Sequence, residues 1–270
     1  MSGVSTTAAA GERFDAVVID AGHGGENHGA PGPDGLLEKD VVLAVAKRLA
    51  ERLEAKGLRV VQTRSSDVAV ALQERTRIAN DAGADLFVSV HANAAPSRVA
   101  RGMETFFLSL DASDEGAGRV AARENEAFGP SVSSAGANED PVSAILGDLA
   151  HTEYLVDSDE IARLAHARLA AIDPVPSRGV KQAPFVVLMG VRMPAVLVEI
   201  GFMTNPTEAL SLGTPVRQAQ IADAIADAVL EFGRRYDARR GAPGAVGTGA
   251  ANAAAGRTPE SAPHGREGGS

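Results

Sequence analysis

Ala195-Val196-Leu197-Val198-Glu199-Ile200-Gly201-Phe202 is an apolar run closed by an ionisable residue, and it reads as a buried strand. Phe14–Asp20 and Leu86–Val90 are two further strand-like runs, with His23 and His91 at their ends. In an open α/β sheet, neighbouring strand ends face one crevice, where such folds place their chemistry. Two imidazoles and a carboxylate brought together there have the ligand types of a zinc site. The first functional class to consider is therefore metal-assisted hydrolysis.

The order of elements around these runs supports an α/β sheet. Phe14–Asp20 ends in the glycine-rich turn Asp20-Ala21-Gly22-His23-Gly24-Gly25. From Glu38, Val41, Val45, Leu49 and Leu53 recur at helical spacing, and Gly57 is a natural stop. Leu58–Thr63 reads as a strand, Leu72–Ala82 as a helix ending at Gly83, and Asp85–Val90 as a third strand. Alternation of this kind predicts a mostly parallel, twisted sheet with helices on both faces. Met103–Leu108, Phe185–Leu188 and Ala195–Ile200 are the remaining predicted strands. Residues 109–157 interrupt the pattern as a helical insert, with helices expected at about Gly118–Phe128 and Val142–Val156. Ile161, Leu164, Ala165, Arg168, Leu169 and Ile172 mark a further amphipathic helix. Asn205-Pro206-Thr207-Glu208 is a strong helix start, and a closing helix is expected over Pro215–Tyr236. Residues 1–12 read as a flexible lead-in, 13–237 as the catalytic domain and 238–270 as a disordered tail rich in Gly, Ala, Pro and Ser.

Composition narrows the function. A net charge of −9 argues against nucleic acid as a partner. The chain has no cysteine, so any metal must be held by His and carboxylates. No stretch approaches the roughly 18–20 consecutive apolar residues of a membrane span. Met1–Gly11 has neither a basic start nor an apolar core and does not read as a secretory signal.

Each candidate residue also has an ordinary explanation. His23, flanked by glycines, could be a surface-loop histidine, and His91 a satisfied residue at a strand end. Glu38 in the first turn of a helix complements the helix dipole. Glu199 must find a partner or titrate upward, and a structural ion pair with Arg75 or Arg192 would serve. The compact H-E-x-x-H signature is absent.

Four motifs occur together and in order: Asp20-Ala21-Gly22-His23-Gly24-Gly25, Leu37-Glu38-Lys39-Asp40, Ser89-Val90-His91-Ala92-Asn93-Ala94, and Val198-Glu199-Ile200-Gly201-Phe202-Met203-Thr204-Asn205-Pro206. With Thr63-Arg64, Gly102-Met103-Glu104-Thr105 and Ser177-Arg178-Gly179-Val180-Lys181, they make residues Phe14–Tyr236 resemble the zinc-dependent N-acetylmuramoyl-L-alanine amidases of bacterial peptidoglycan. The resemblance implies one Zn2+ bound by His23, Glu38 and His91, with Glu199 as the catalytic carboxylate. Ala21 stands where the family commonly has proline, and Asn27-His28-Gly29 replaces an Asp-containing segment. His151, His166 and His264 match no family ligand, and His28 reads as an exposed loop residue, with an accessory group near the mouth as the alternative. Arg75 and Asn80 are expected to brace the sheet, and Asn93 to orient the site.

Within the insert, Arg123-Glu124-Asn125 and Ile145-Leu146-Gly147-Asp148-Leu149-Ala150 resemble the regulatory segment of division-associated amidases from double-membraned bacteria. An activator protein acting on the insert is implied, with Glu139, Asp140 or Glu153 as acids that could approach the metal. The substrate implied is peptidoglycan, for wall remodelling or daughter-cell separation in the periplasm or cell envelope. A zinc peptidase trimming wall peptides and a non-catalytic peptidoglycan-binding module are the competing readings.

Overall fold

The central strands are buried at every position, which sets a helical layer on each face of the sheet. The computed structural model describes residues 13–126 and 149–241, apart from positions 174 and 176. The strands are β1 (Ala16–Ala21), β2 (Arg59–Gln62), β3 (Leu86–Asn93), β4 (Glu104–Leu108), β5 (Val180–Ala183) and β6 (Ala195–Phe202). They form one sheet in the order β2-β1-β3-β6-β4-β5. The first four of that row are parallel; β4 is antiparallel to β6 and parallel to β5. The helices are α1 (Glu38–Glu54), α2 (Leu72–Ala82), α3 (Glu115–Glu126), α4 (Leu149–Ala171), α5 (Pro206–Leu212) and α6 (Pro215–Arg240).

Successive strand side chains face opposite sides of a sheet, and two cores result. Val17, Ile19, Val88, Val90, Val196 and Val198 pack with Leu49 of α1, Leu169 of α4 and Ile225 of α6. Ala16, Val18, Phe87, Phe106 and Leu197 pack on the other side with Leu72 of α2 and Val120 and Ala121 of α3. Full burial of one such Leu, Val or Phe is worth about 1.5–3 kcal/mol, so both helical layers are firmly held. His91, Glu199 and Glu104 continue the strand parity of Phe87, Leu197 and Phe106. They therefore belong to the face covered by α3.

The expected sheet with helices on both faces is present, with three local corrections. Phe185–Leu188, expected as a strand, forms a 3-10 turn over Val186–Leu188, and the paired strand is Val180–Ala183 instead. The helix expected at Val142–Val156 and the one marked by Ile161–Ile172 are a single α4 from Leu149. The closing helix runs on to Arg240, past the point where the tail was expected to start, and ends with Gly241 in the left-handed conformation. Residues 1–12, 127–148 and 242–270, including the lead-in and most of the tail, lie outside the described residues. Asn205 caps α5 as expected, its Oδ1 accepting from Thr207 N and Glu208 N at 3.1 Å each. Among the described residues, no helix is long and apolar enough to cross a membrane.

Candidate metal centre

The turn after β1 is built to hold one imidazole. His23 adopts φ 59, a conformation that costs a non-glycine residue about 1–3 kcal/mol unless its surroundings enforce it. Two guanidiniums do so. Arg64 donates to Ala21 O and Gly22 O, and Arg75 donates to Ala21 O and His23 O, at 2.6–2.9 Å. Arg75 is in turn fixed by Asp20 Oδ1 at 2.6 Å, and Thr63 and Ser89 also donate to that carboxylate. Burial alone would raise the pKa of Asp20, but Arg75 and the two hydroxyls hold it below the usual value. Arg75 braces both the sheet and the turn, as expected. Asn80 ties the loop before β6, bonding Gly190 O and Arg192 N at 2.8 Å.

Glu38, the first residue of α1, is oriented by two backbone donors. Its Oε2 accepts from Ala30 N at 2.8 Å and its Oε1 from Ala92 N at 2.9 Å. His91 lies on β3 directly opposite Glu199 of β6, just before a bulge between His91 and Asn93. Two glycines make room for these side chains. A Cβ on Gly22 would run into the His91 imidazole, and one on Gly29 would lie 2.6 Å from Glu38 Oε2 and 2.7 Å from the His23 ring.

Three of the expected residues converge. Glu38 Oε1 is 2.9 Å from His23 Nε2 and 3.3 Å from His91 Nδ1, and the two imidazole centroids are 4.9 Å apart. The fourth member of the cluster was not anticipated. Glu124 of α3 places Oε2 2.9 Å from His91 Nδ1 and 3.3 Å from His23 Nε2. One ligand atom from each of the four lies within 4.8 Å of all the others. His91 Nδ1 and Glu124 Oε2 are buried without a hydrogen bond between them or to any other described group, as expected of atoms whose proper partner is a cation.

Glu199 sits beside this cluster with both carboxylate oxygens buried and free of hydrogen bonds among the described residues. It pairs with neither Arg75, which is held by Asp20, nor Arg192; its nearest cation is Arg123 Nη2 at 3.8 Å. Burial and the neighbouring Glu124 charge push its carboxyl well above the usual range. Burial works against the charged form of His23, but Glu38 and Glu124 outweigh it and raise the imidazole to about 9. Burial likewise opposes ionisation of Glu38, yet His23 brings it down to about 2. The cluster has the charge pattern of a cation site filled by protons.

Of the acids expected to approach the metal, Glu153 is corrected by this geometry. Glu153 pairs with Arg240 at 2.7 Å, away from the cluster, and Glu139 and Asp140 lie outside the described residues. The acid that arrives is Glu124. The sequence carried a signal for it: Ala117, Val120, Ala121 and Glu124 form the buried face of α3, with an acid in the last place of an apolar stripe. Asn93 donates to Glu104 and accepts from Arg123 Nη1 at 3.1 Å, linking strand, helix and site. His28 is exposed, and His166 bonds Ser177. His264 is outside the described residues.

Comparison with known proteins agrees with this arrangement. The family described as N-acetylmuramoyl-L-alanine amidase matches residues 17–231. The chain belongs to that family. The amidase is 37% identical over 222 residues to N-acetylmuramoyl-L-alanine amidase AmiA of Escherichia coli, covering 82% of this chain and 77% of that one. It is 35% identical to AmiC of Neisseria meningitidis, covering 82% of this chain and 53% of the longer relative. The solved structure of AmiC2 from Nostoc punctiforme superposes with a TM-score of 0.60 at 32% identity, over 82% of this chain and 98% of that one. The enzyme type and the α/β fold follow from these matches.

One feature sets the state of this amidase. His23, His91 and Glu124 are only 3–4% exposed, and Glu38 and Glu199 are fully buried. A small cavity of about 10 Å³ beside the cluster is lined by Asp20, Leu72, Arg75, His91, Glu124 and Asn125.

Proposed function

We propose that this amidase is a zinc hydrolase that cuts the bond between N-acetylmuramic acid and L-alanine, and that it rests in a self-blocked state. The observation that carries the reading is the convergence of His23, Glu38, His91 and Glu124, with Glu199 opposite His91. A tetrahedral ion with bonds of about 2.0–2.1 Å spaces its ligands roughly 3.3 Å apart, which matches the 2.9 and 3.3 Å separations here. Nitrogen and carboxylate donors in a chain without cysteine suit Zn2+. A bound Zn2+ supplies a Lewis acid that lowers the pKa of water and polarises the scissile carbonyl.

His23, Glu38 and His91 are the resident ligands, and Glu124 occupies the place that a reacting group needs. Glu199 is the general base and then the general acid: it takes a proton from the attacking water and delivers it to the departing amine of L-alanine. In the blocked state burial and the Glu124 charge both push the Glu199 carboxyl above its usual range. Withdrawal of Glu124 removes one of those two causes and opens the cleft in the same motion.

Residues 13–237 act as the catalytic domain, and 109–157 as its regulatory insert. An activator protein that draws α3 away is the partner this implies. The natural setting is the cell envelope or periplasm, in wall remodelling or daughter-cell separation. Zinc content of the purified protein, together with products released from purified sacculi, tests the reading. An intact stem peptide freed from glycan supports it. Trimming within the peptide would indicate a peptidase, and binding without release, persisting in Glu124→Ala, a peptidoglycan-binding module.

A further inference from the structure

A groove beside the metal site is basic, on a chain whose net charge is −9. Its cavity of about 450 Å³ is lined by Val99, Ala100, Arg101, Ser177, Arg178 and Lys181. It lies at the same end of the strands as the metal cluster. Arg178 stands two residues before Val180, which pairs with Thr105 of β4, and the preceding Glu104 pairs with Glu199 of β6. Neighbouring strands are about 4.8 Å apart, so the line of β5 is roughly 10 Å from that of Glu199. An extended peptide spans that distance in about three residues.

The Arg178 guanidinium is held from two sides. Its Nε is 2.9 Å from Oε1 of buried Glu104, and its central carbon lies 5.1 Å from the Phe202 ring centroid. Glu104 is itself fixed by Asn93 Nδ2 at 2.7 Å and Lys181 Nζ at 2.9 Å. The two terminal nitrogens of Arg178 make no hydrogen bond to a described residue. An oriented guanidinium with that edge unengaged is a bidentate receptor for a carboxylate. Arg101, Arg178 and Lys181 also outweigh the charge of Glu104 and of Asp114, the second partner of Lys181.

We propose that Arg178, assisted by Arg101, forms a subsite for a free carboxylate carried by the stem peptide one or two residues beyond its L-alanine. This rests on the amidase reading of the neighbouring site and adds a preference for acidic over amidated peptides. The other role open to Arg178, a brace for Glu104, predicts equal effects on every substrate.

The test compares N-acetylmuramoyl-L-Ala-D-isoglutamyl-L-lysine with the same compound amidated at the second residue or at the terminal carboxylate. The expected result for the full chain carrying Glu124→Ala, which relieves the block, is a KM about tenfold lower for the free acid than for one of the two amides. Arg178→Gln raises the KM of the acid about tenfold, with kcat within about twofold, and leaves that amide unchanged. Arg178→Lys keeps part of the preference, and Arg101→Gln weakens it less. Equal KM values for all three compounds, or a variant that shifts all three alike, overturn the proposal. If neither these compounds nor sacculi are cleaved even by a chain that carries Glu124→Ala, which removes the blocking carboxylate, the amidase reading is what fails. Titration calorimetry with the free peptide and its amides then still decides the subsite: tighter binding of the acid, lost in Arg178→Gln, supports it, and equal binding overturns it.

Discussion

Oε2 of Glu124 lies 2.9 Å from Nδ1 of His91, so a residue of an inserted helix meets a residue of the central sheet at the metal cluster. The contact brings together groups 33 positions apart in sequence (124 minus 91). It also gives the buried cluster a second carboxylate, beyond the one supplied by Glu38.

Replacing Glu124 with Ala opens the blocked site. Basal release of stem peptides from sacculi should rise by about tenfold or more, while zinc binds about tenfold more weakly for want of one ligand. Both are measured on the same preparation. Unchanged basal activity would show that Glu124 is not the obstruction.

Glu199→Gln keeps shape and removes the proton carrier. General acid–base groups contribute about 10²–10⁴-fold, and a loss in that range is expected with zinc content intact. Turnover near that of the unsubstituted enzyme would sink the assignment.

The metal-free protein should lose stability as pH rises from about 6.5 to about 9. His23 binds a proton more tightly when folded, with its pKa moved from 6.5 to about 9. Its stabilising effect is therefore complete below 6.5 and disappears as pH passes through the folded value. Zinc takes the place of that proton, so the slope should vanish in the metal-loaded protein and its Tm should rise with free zinc. Melting curves with and without chelator across this window check both signs.

Gly22→Ala pushes a methyl group into the His91 ring. Overpacking of this kind costs about 1–3 kcal/mol, and the displaced imidazole should lower zinc affinity as well. A variant with normal Tm and normal zinc content would contradict the close approach seen here.

The sheet and two members of the cluster were legible because strand ends carry them: His23 follows β1 and His91 lies on β3, whereas Glu38, which opens α1, was singled out by the family motifs. Phe185–Leu188 misled because an uninterrupted apolar run reads alike whether it is a strand or a buried turn. The true edge strand, Val180–Ala183, is masked by Lys181 and Gln182, which half of an edge strand can present to water. Glu124 was obscured for a different reason. Mid-helix acids are ordinary on a solvated face, and only the burial of Ala117, Val120 and Ala121 on the same side reveals where this one points. The choice among acids in the insert depended on tertiary packing.

Asn125 receives Val186 N on its Oδ1 and donates to Pro184 O, while Arg123 grips Ala94 O and Asn93. The obstructing side chain is thus flanked on both sides by clips to the body of the protein. Withdrawing α3 itself requires several of these bonds to be released together. Spontaneous leakage then follows the opening free energy of the whole helix, which makes the response to a releasing signal closer to a latch than to a dimmer.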